Sequence, residues 1–538
     1  MSASTERKNR QAAREAGTDK KTLAQAREAE AKAKSRLRWT LGTIAVVLVV
    51  AAVLILNSGL MYRLPAFTVG SKSYNASEVS YRYSNQYYSF ANQYGNYASL
   101  FGLDTSNGIQ GLKKQECSML ENGGTWKDYF LNAAKEEMIH ATVLGQYAAE
   151  NNITLDEDDK ATIDSAFEGI EEQAQSVGYL SADNMLAANY GTGVNQQLVR
   201  RAYEESQLAS KAAQALTDSF TYTPEEIEAK YQSYEGTQDF YDYAYAYISA
   251  ERVETTNDAG ETSSDVTPET LAAAEEKANA IADAYNKPAE EKPAEEKPAD
   301  EKEAAEQPVA EEPAELDPAE RLIEAARSVD ASAMRQTRVS GSSIPVSEWM
   351  RSAERKAGDI TVEPDANGCY VVVFLSKDDN HYATANVRHI LVMAEADADG
   401  NYTDEAKAAA KARAEEILAE FESGDKTEER FAELAEKYSE DVGSNTNGGL
   451  YENVAKGQMV PEFDAFCFGG HKPGDTGIVY GESGSYAGYH VMYFVGEGET
   501  YSNVIADSDL RNEAASAWIE EREAANPTKE GFGMKFVG

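Results

Sequence analysis

GQMVPEF, Gly457 to Phe463, lies between two histidine-bearing segments, VRHILV (Val387–Val392) and GYHVMYF (Gly488–Phe494), and this arrangement decides the reading of the chain. Alternation puts Val387, His389 and Leu391 on one face of the first segment, and His490, Met492 and Phe494 on one face of the second. Both read as strands. Between them, Ala410, Ala414, Ile417, Leu418 and Phe421 form one helical stripe, with Thr403 as its N-cap and Gly424 as its stop. Phe431, Leu434, Ala435 and Tyr438 form a second, capped by Thr427. A glycine-rich turn, Asn447-Gly448-Gly449, then GQMVPEF, a short helix and two strands complete the order.

VRHILV, FAELAEKYSED, NGG, GQMVPEF, KPGDTG and GYH, in that order, resemble the parvulin family of peptidyl-prolyl cis-trans isomerases. The resemblance implies an α+β domain with a four-stranded antiparallel sheet, and rotation about X-Pro bonds with no cofactor and no metal. That rotation faces a barrier of about 18–20 kcal/mol, because amide resonance is lost in the twisted form. Catalysis needs an apolar slot for the proline ring and a polar surround that prefers the twisted amide. In the family, the residues matching Met459 and Phe463 form the proline pocket, and Tyr451 stands where the family has Leu. His389 and His490 match the paired histidines, and Asp441 the position that is Cys or Asp. Two departures stand out. The family's small hydroxyl residues before GYH correspond to Ser485 and Ala487, and the loop Ala394–Glu405 is acidic where phosphate-directed parvulins are basic. Recognition of phospho-Ser/Thr-Pro is therefore not expected.

Blander readings exist for the same residues. Strand histidines can be core residues, and His389, His490 and Asp441 are metal-ligand types. Cys467 could pair with His490 as a nucleophile, although its place in AFCF fits a packing cysteine. The ordered motif set favours the isomerase site over each of these.

With 538 residues the chain exceeds one domain, and its net charge of −42 argues against a nucleic-acid partner. Three scattered cysteines form neither a disulfide framework nor a metal pattern. Residues 1–38 read as a cytoplasmic basic leader. Trp39–Leu56 carries no charge and, flanked by Lys34, Arg36 and Arg38, predicts a transmembrane signal anchor over 39–62. A cleaved signal is the rival, but no small-x-small site follows the run. The anchor would place the body of the chain outside the cytoplasm.

Residues 63–237 read as a helical chaperone-like domain: Asn75 or Ser77 caps a tyrosine-rich helix, and further helices are predicted over Trp126–Glu150, Glu157–Val177, Ala182–Tyr190 and Gly193–Asp218. Thr223 and Glu226 fit a capping box. The entry and the TPEEI ending resemble the helical domain of extracytoplasmic foldases such as PrsA and SurA. Tyr81 and Tyr88 suit either a client surface or a core. Residues 238–380 repeat the frame of the later domain: DYAYAYISAE aligns with VRHILVMAE, and Tyr245 and Tyr370 fall where His389 and His490 stand. SGSSIPVSEWM replaces GQMVPEF. This copy is expected to be a degenerate parvulin-like domain with a disordered acidic insertion, 287–315. The active copy is 381–497, and 498–538 is a C-terminal helix and tail expected to pack on the helical domain. The function implied is isomerisation and holding of exported polypeptides. The alternatives are a non-catalytic holdase and a membrane scaffold.

Overall fold

The structure, a computed structural model, describes residues 3–17, 20–57, 59–256, 262–287, 316–484 and 486–538. The acidic stretch 288–315 and Ser485 lie outside them. Two units partition the chain, Met1–Thr221 with Arg511–Gly538, and Tyr222–Leu510.

In the first unit, helices Ala76–Tyr94, Trp126–Glu150 and Gln196–Ser219 carry the core. Their starts follow from capping chemistry. The Asn75 side chain accepts from the Glu78 amide while Glu78 reaches back to the Asn75 amide, and Thr125 and Asp128 repeat the device. The single helix expected over Glu157–Val177 is two helices, Glu157–Phe167 and Ile170–Ser176. Gly169 between them is left-handed (φ 73°), a conformation that a right-handed helix cannot pass through. Tyr81 and Tyr88 both pack on Tyr190, with ring centroids 5.2 and 5.5 Å away, so they serve internal packing. Strand Pro65–Val69 pairs with Lys72–Asn75 on one side and with Thr528–Glu530, near the C-terminus, on the other. Trp518 meets Tyr147 edge-on at 5.2 Å.

The transmembrane helix expected over 39–62 is corrected here. Helix Lys20–Asn57 exists, but among the described residues no helix is long and apolar enough to cross a membrane. The side chains of 51–58 lie outside the described residues, and the apolar stretch that remains, 39–50, rises about 18 Å against a hydrocarbon core of about 30 Å. Lys32, Lys34, Arg36 and Arg38 precede it in the same helix.

The second unit has the α+β character expected, in two copies of one frame. The first comprises β1 (Phe240–Ser249), α1 (Pro268–Asn286), α2 (Pro318–Arg327), β2 (Ala333–Ser340), α3 (Ser347–Arg351), β3 (Ile360–Asp365) and β4 (Gly368–Asp378). The second comprises β5 (Ala383–Met393), α4 (Asp404–Glu422), α5 (Glu428–Tyr438), β6 (Leu450–Val454), α6 (Pro461–Cys467), β7 (Thr476–Ser483) and β8 (Tyr486–Thr500). The sheets are ordered β2-β1-β4-β3 and β6-β5-β8-β7, and every pairing is antiparallel. A hairpin, Arg252–Thr256 with Thr262–Val266, extends the first copy.

Period-two alternation divides the second sheet between two cores. Ile390, Val392, Val491 and Tyr493 pack against Ala410, Ala414, Ile417 and Phe421 of α4 and Phe431, Leu434 and Ala435 of α5. Thr403 and Thr427 cap these helices as their sequence spacing suggested. The opposite face carries Val387, Met492 and Phe494, packed with Phe463, Phe466 and Cys467 of α6. His389 and His490 belong to that face, so burial of its apolar residues also fixes the imidazoles.

Candidate functional site

The register of β5 and β8 sets the geometry. Met492 lies opposite His389 and Leu391 opposite His490, so the two histidines are diagonal neighbours on one face of adjacent strands. They are 3% and 5% exposed. Their rings stack with centroids 5.2 Å apart, and the two Nδ1 atoms stand 3.0 Å from each other. One proton shared between these nitrogens joins them.

His389 Nε2 lies 2.9 Å from Asp441 Oδ2; the carboxylate can only accept, so the imidazole donates. Ser444 Oγ and Tyr451 Oη also donate to Oδ2, the latter over 3.0 Å, and the Gly443 amide donates to Oδ1 over 3.1 Å. These donors hold the Asp441 carboxyl well below the ordinary carboxylate range, the His389 bond contributing most. At the other end, Tyr486 Oη lies 3.1 Å from His490 Nε2. Burial pushes His490 down to about 3, with the neighbouring imidazole adding to the effect, so it is neutral at ordinary pH. Asp441, His389, His490 and Tyr486 thus form one hydrogen-bonded line.

Backbone chemistry keeps the line in place. Gly449 is left-handed (φ 71°), and a Cβ there would sit 2.2 Å from the His389 carbonyl oxygen. This close approach lets the His389 amide bond the Gly449 carbonyl at 2.9 Å. Gly481 on β7 leaves room at the far end, since a Cβ would lie 2.6 Å from His490 Nε2.

The apolar side is built by α6 and the segment before it. Phe463 is 2% exposed, and its ring meets His389 and His490 edge-on at 5.5 and 5.4 Å. Tyr451 lies 5.3 Å from the His389 ring, and half-buried Met459 packs in the same cluster. The structure therefore brings together all six residues singled out from sequence: His389, Asp441, His490, Tyr451, Met459 and Phe463. Cys467 is buried in that cluster, and burial pushes its thiol up to about 12, which leaves it a packing residue.

Sequence reasoning missed two members, Ser444 and Tyr486. Ser444 follows Asp441 by three positions in YSEDVGS, and Tyr486 precedes His490 by four in a strand, which places both on one face. Strand periodicity was therefore enough to find Tyr486. Of the positions expected to supply hydroxyl chemistry, Ala487 is buried and its backbone carbonyl accepts from the Ala394 amide.

Residues 370–493 match the family described as the PPIC-type PPIASE domain. This part of the chain is a parvulin-type peptidyl-prolyl isomerase domain. The chain is 37% identical over 112 residues to the chaperone SurA of Pseudomonas fluorescens (strain Pf0-1), covering 20% of this chain and 24% of that protein. With SurA of Hahella chejuensis (strain KCTC 2396) it shares 38% over 117 residues, 21% and 24% of the two chains. The chain thus matches about a quarter of the length of these relatives. Among solved structures, the peptidylprolyl isomerase PrsA of Bacillus anthracis aligns at 21% identity over 27% of this chain and 59% of that one, TM-score 0.18. The foldase protein PrsA of Streptococcus pneumoniae aligns at 11% identity over 74% and 88%, TM-score 0.24.

Proposed function

We propose that the whole protein is a foldase that isomerises X-Pro bonds in polypeptides still folding and holds them meanwhile. The observation that carries this is the line Asp441–His389–His490–Tyr486 lying against the Phe463 ring. Half-buried Met459 and Tyr451, backed by the buried Phe463 ring, offer the proline ring an apolar surface. The Asp441 carboxylate, kept ionised by its donors, faces the amide. Negative charge there disfavours the planar resonance form, in which the carbonyl oxygen carries negative charge, more than the twisted form. The histidines hold that carboxylate in position, and no bond is made or broken at any step.

The finer reading is that the clients are exported polypeptides met outside the cytoplasm. Its support is the resemblance of the start of residues 63–237, and of their TPEEI ending, to the helical domain of extracytoplasmic foldases. Protease added to intact cells should cleave the body of the chain, and complete protection would overturn this placement. The isomerase reading is tested with the full chain on short X-Pro peptides, by exchange between cis and trans amide signals. Asp441→Ala should lower kcat/KM by about 100-fold. Absence of turnover in the wild-type chain would leave a holdase.

A further inference from the structure

The first frame retains a cleft where the second has its site. A cavity of about 600 Å³ is lined by Val346, Glu348, Trp349, Glu363, Asp365 and Tyr370, among others. Tyr370 occupies the strand position of His490. Trp349 is the third residue of α3 as Phe463 is the third residue of α6. The Met–Phe cup for proline is absent from this lining. An indole, a phenol and three carboxylates take its place, and among the described residues neither Lys nor Arg lines the cavity.

We propose that this cleft binds an extended polypeptide segment through an arginine side chain, with no requirement for proline. The inference goes beyond the isomerase reading and does not depend on it. A guanidinium stacks on aromatic faces and pairs with carboxylates at once, which suits this combination better than any neutral side chain. The Trp349 indole already takes one guanidinium: Arg355, which is not part of the cavity lining, sits 4.7 Å over its ring and reaches Asp359 at 3.5 Å. Tyr370 is held in place by Tyr247, with ring centroids 4.5 Å apart, and Tyr247 donates to Asp365 over 2.9 Å. The Ala366 amide and, after it, that bond lower the Asp365 carboxyl below its ordinary value. Val346, a β-branched residue, is left-handed (φ 52°, ψ 44°) at the start of α3, a conformation such residues rarely adopt. The cavity runs along the end of β3, the edge strand of its sheet among the described residues. An extended chain lying along that edge can bond to the backbone while its side chain enters the cleft.

The test uses the full chain and a fluorescent, capped, proline-free peptide, Gly-Ala-Arg-Ala-Gly, followed by anisotropy. Expected are saturable binding, at least tenfold weaker binding when norleucine replaces arginine, and at least fivefold weaker binding by the isosteric triple variant Glu348→Gln, Glu363→Gln, Asp365→Asn. Trp349→Leu should weaken binding similarly, with unfolding midpoints showing that each variant folds. A control variant, Glu405→Gln, Glu415→Gln, Glu416→Gln on α4, should bind as the wild type does. Equal affinity for the norleucine peptide would overturn the proposal. So would an equal loss in the control, which would assign binding to the general negative field. Displacement by spermidine as effective as by unlabelled peptide would also overturn it, because the site would then take free cations.

Discussion

In the first frame Tyr245 stands opposite Val372 and Tyr247 opposite Tyr370; in the second His389 stands opposite Met492 and Leu391 opposite His490. The registers correspond position by position. The brackets around the strands correspond as well. The Gly358 amide bonds Phe374, whose own amide bonds Asp359, and Gly474, Phe494 and Asp475 repeat this pair of bonds. Lys356 and Lys472 amides bond the Asp359 and Asp475 carboxylates at 3.0 and 2.9 Å. What differs is the connection after the second helix, residues 328–332 in one copy and 439–449 in the other. The longer one carries Asp441, Ser444 and the Gly448-Gly449 turn. Frame and chemistry are therefore separable: strand pairing and the KxGD turn hold the sheet, while one loop, four strand positions and the segment Met459–Phe463 make the site.

The comparison breaks most sharply if the frames can exchange activity. Replacing both histidines by the first frame's residues, His389→Tyr with His490→Tyr, should lower kcat/KM by about 10³-fold or more, roughly 4 kcal/mol. Adding Tyr245→His and Tyr370→His to that chain should restore nothing. Asp330, within the shorter connection, is exposed, and Ala366 stands where Tyr486 would be. Recovered turnover in the quadruple variant would show that the histidines alone suffice.

Next in size is the aromatic residue of the short helix. Phe463→Ala should cost about 3 kcal/mol, the lower end for a buried Phe, because two imidazoles rather than a wholly apolar wall face the ring. Trp349→Ala should cost less, since that side chain is only half-buried. Urea midpoints of the two variants decide it. A larger loss from Trp349→Ala would make the first cleft a core rather than an opening.

A pH series separates the frames by their titrating groups. His490 is depressed to about 3 against an ordinary 6.5, so its contribution is fully present above about pH 6.5 and is lost as pH falls toward 3. Asp441 is depressed too, and adds a loss in the same direction below about pH 4. Protection of β8 amides, with exchange rates normalised to the intrinsic rate at each pH, should fall over this window by roughly 1–3 kcal/mol. The first frame has no imidazole at either place, and β4 amides should change less. Equal responses in both strands would assign the effect to the unit as a whole.

Much of this was legible in the sequence for identifiable reasons. Alternation in VRHILV and GYHVMYF fixed which face each histidine takes, and Thr403, Thr427 and Asn75 announced their helices by capping chemistry. The line of donors was only half visible. That Tyr451 reaches Asp441 depends on where β6 pairs with β5, and that Ser444 does depends on how the loop folds back. The break at Gly169 was missed because the apolar period runs on through it. The membrane span was over-read, since the apolar part of that helix among the described residues, 39–50, is shorter than a crossing needs.

The smallest effect expected is the most specific. In the first frame the position four residues before Tyr370 is Ala366; in the second, four residues before His490, it is Tyr486. If the Tyr486 hydroxyl donates to His490 Nε2, it stabilises the neutral ring at the nitrogen that would otherwise take up a proton. Tyr486→Phe removes that donor and leaves the ring buried between Phe463 and His389. The His490 pKa should then rise toward its ordinary value, and the acid limb of kcat/KM should move to higher pH. Turnover on the plateau should fall only about 3- to 10-fold, the worth of one hydrogen bond of about 1 kcal/mol. Tyr486→Ala should shift the limb less, because water can enter the space and donate in place of the hydroxyl. A shift to lower pH in Tyr486→Phe would mean that His490 donates to the tyrosine, reversing the direction of the whole line. An unmoved limb would make the hydroxyl a bystander and end the line at His490.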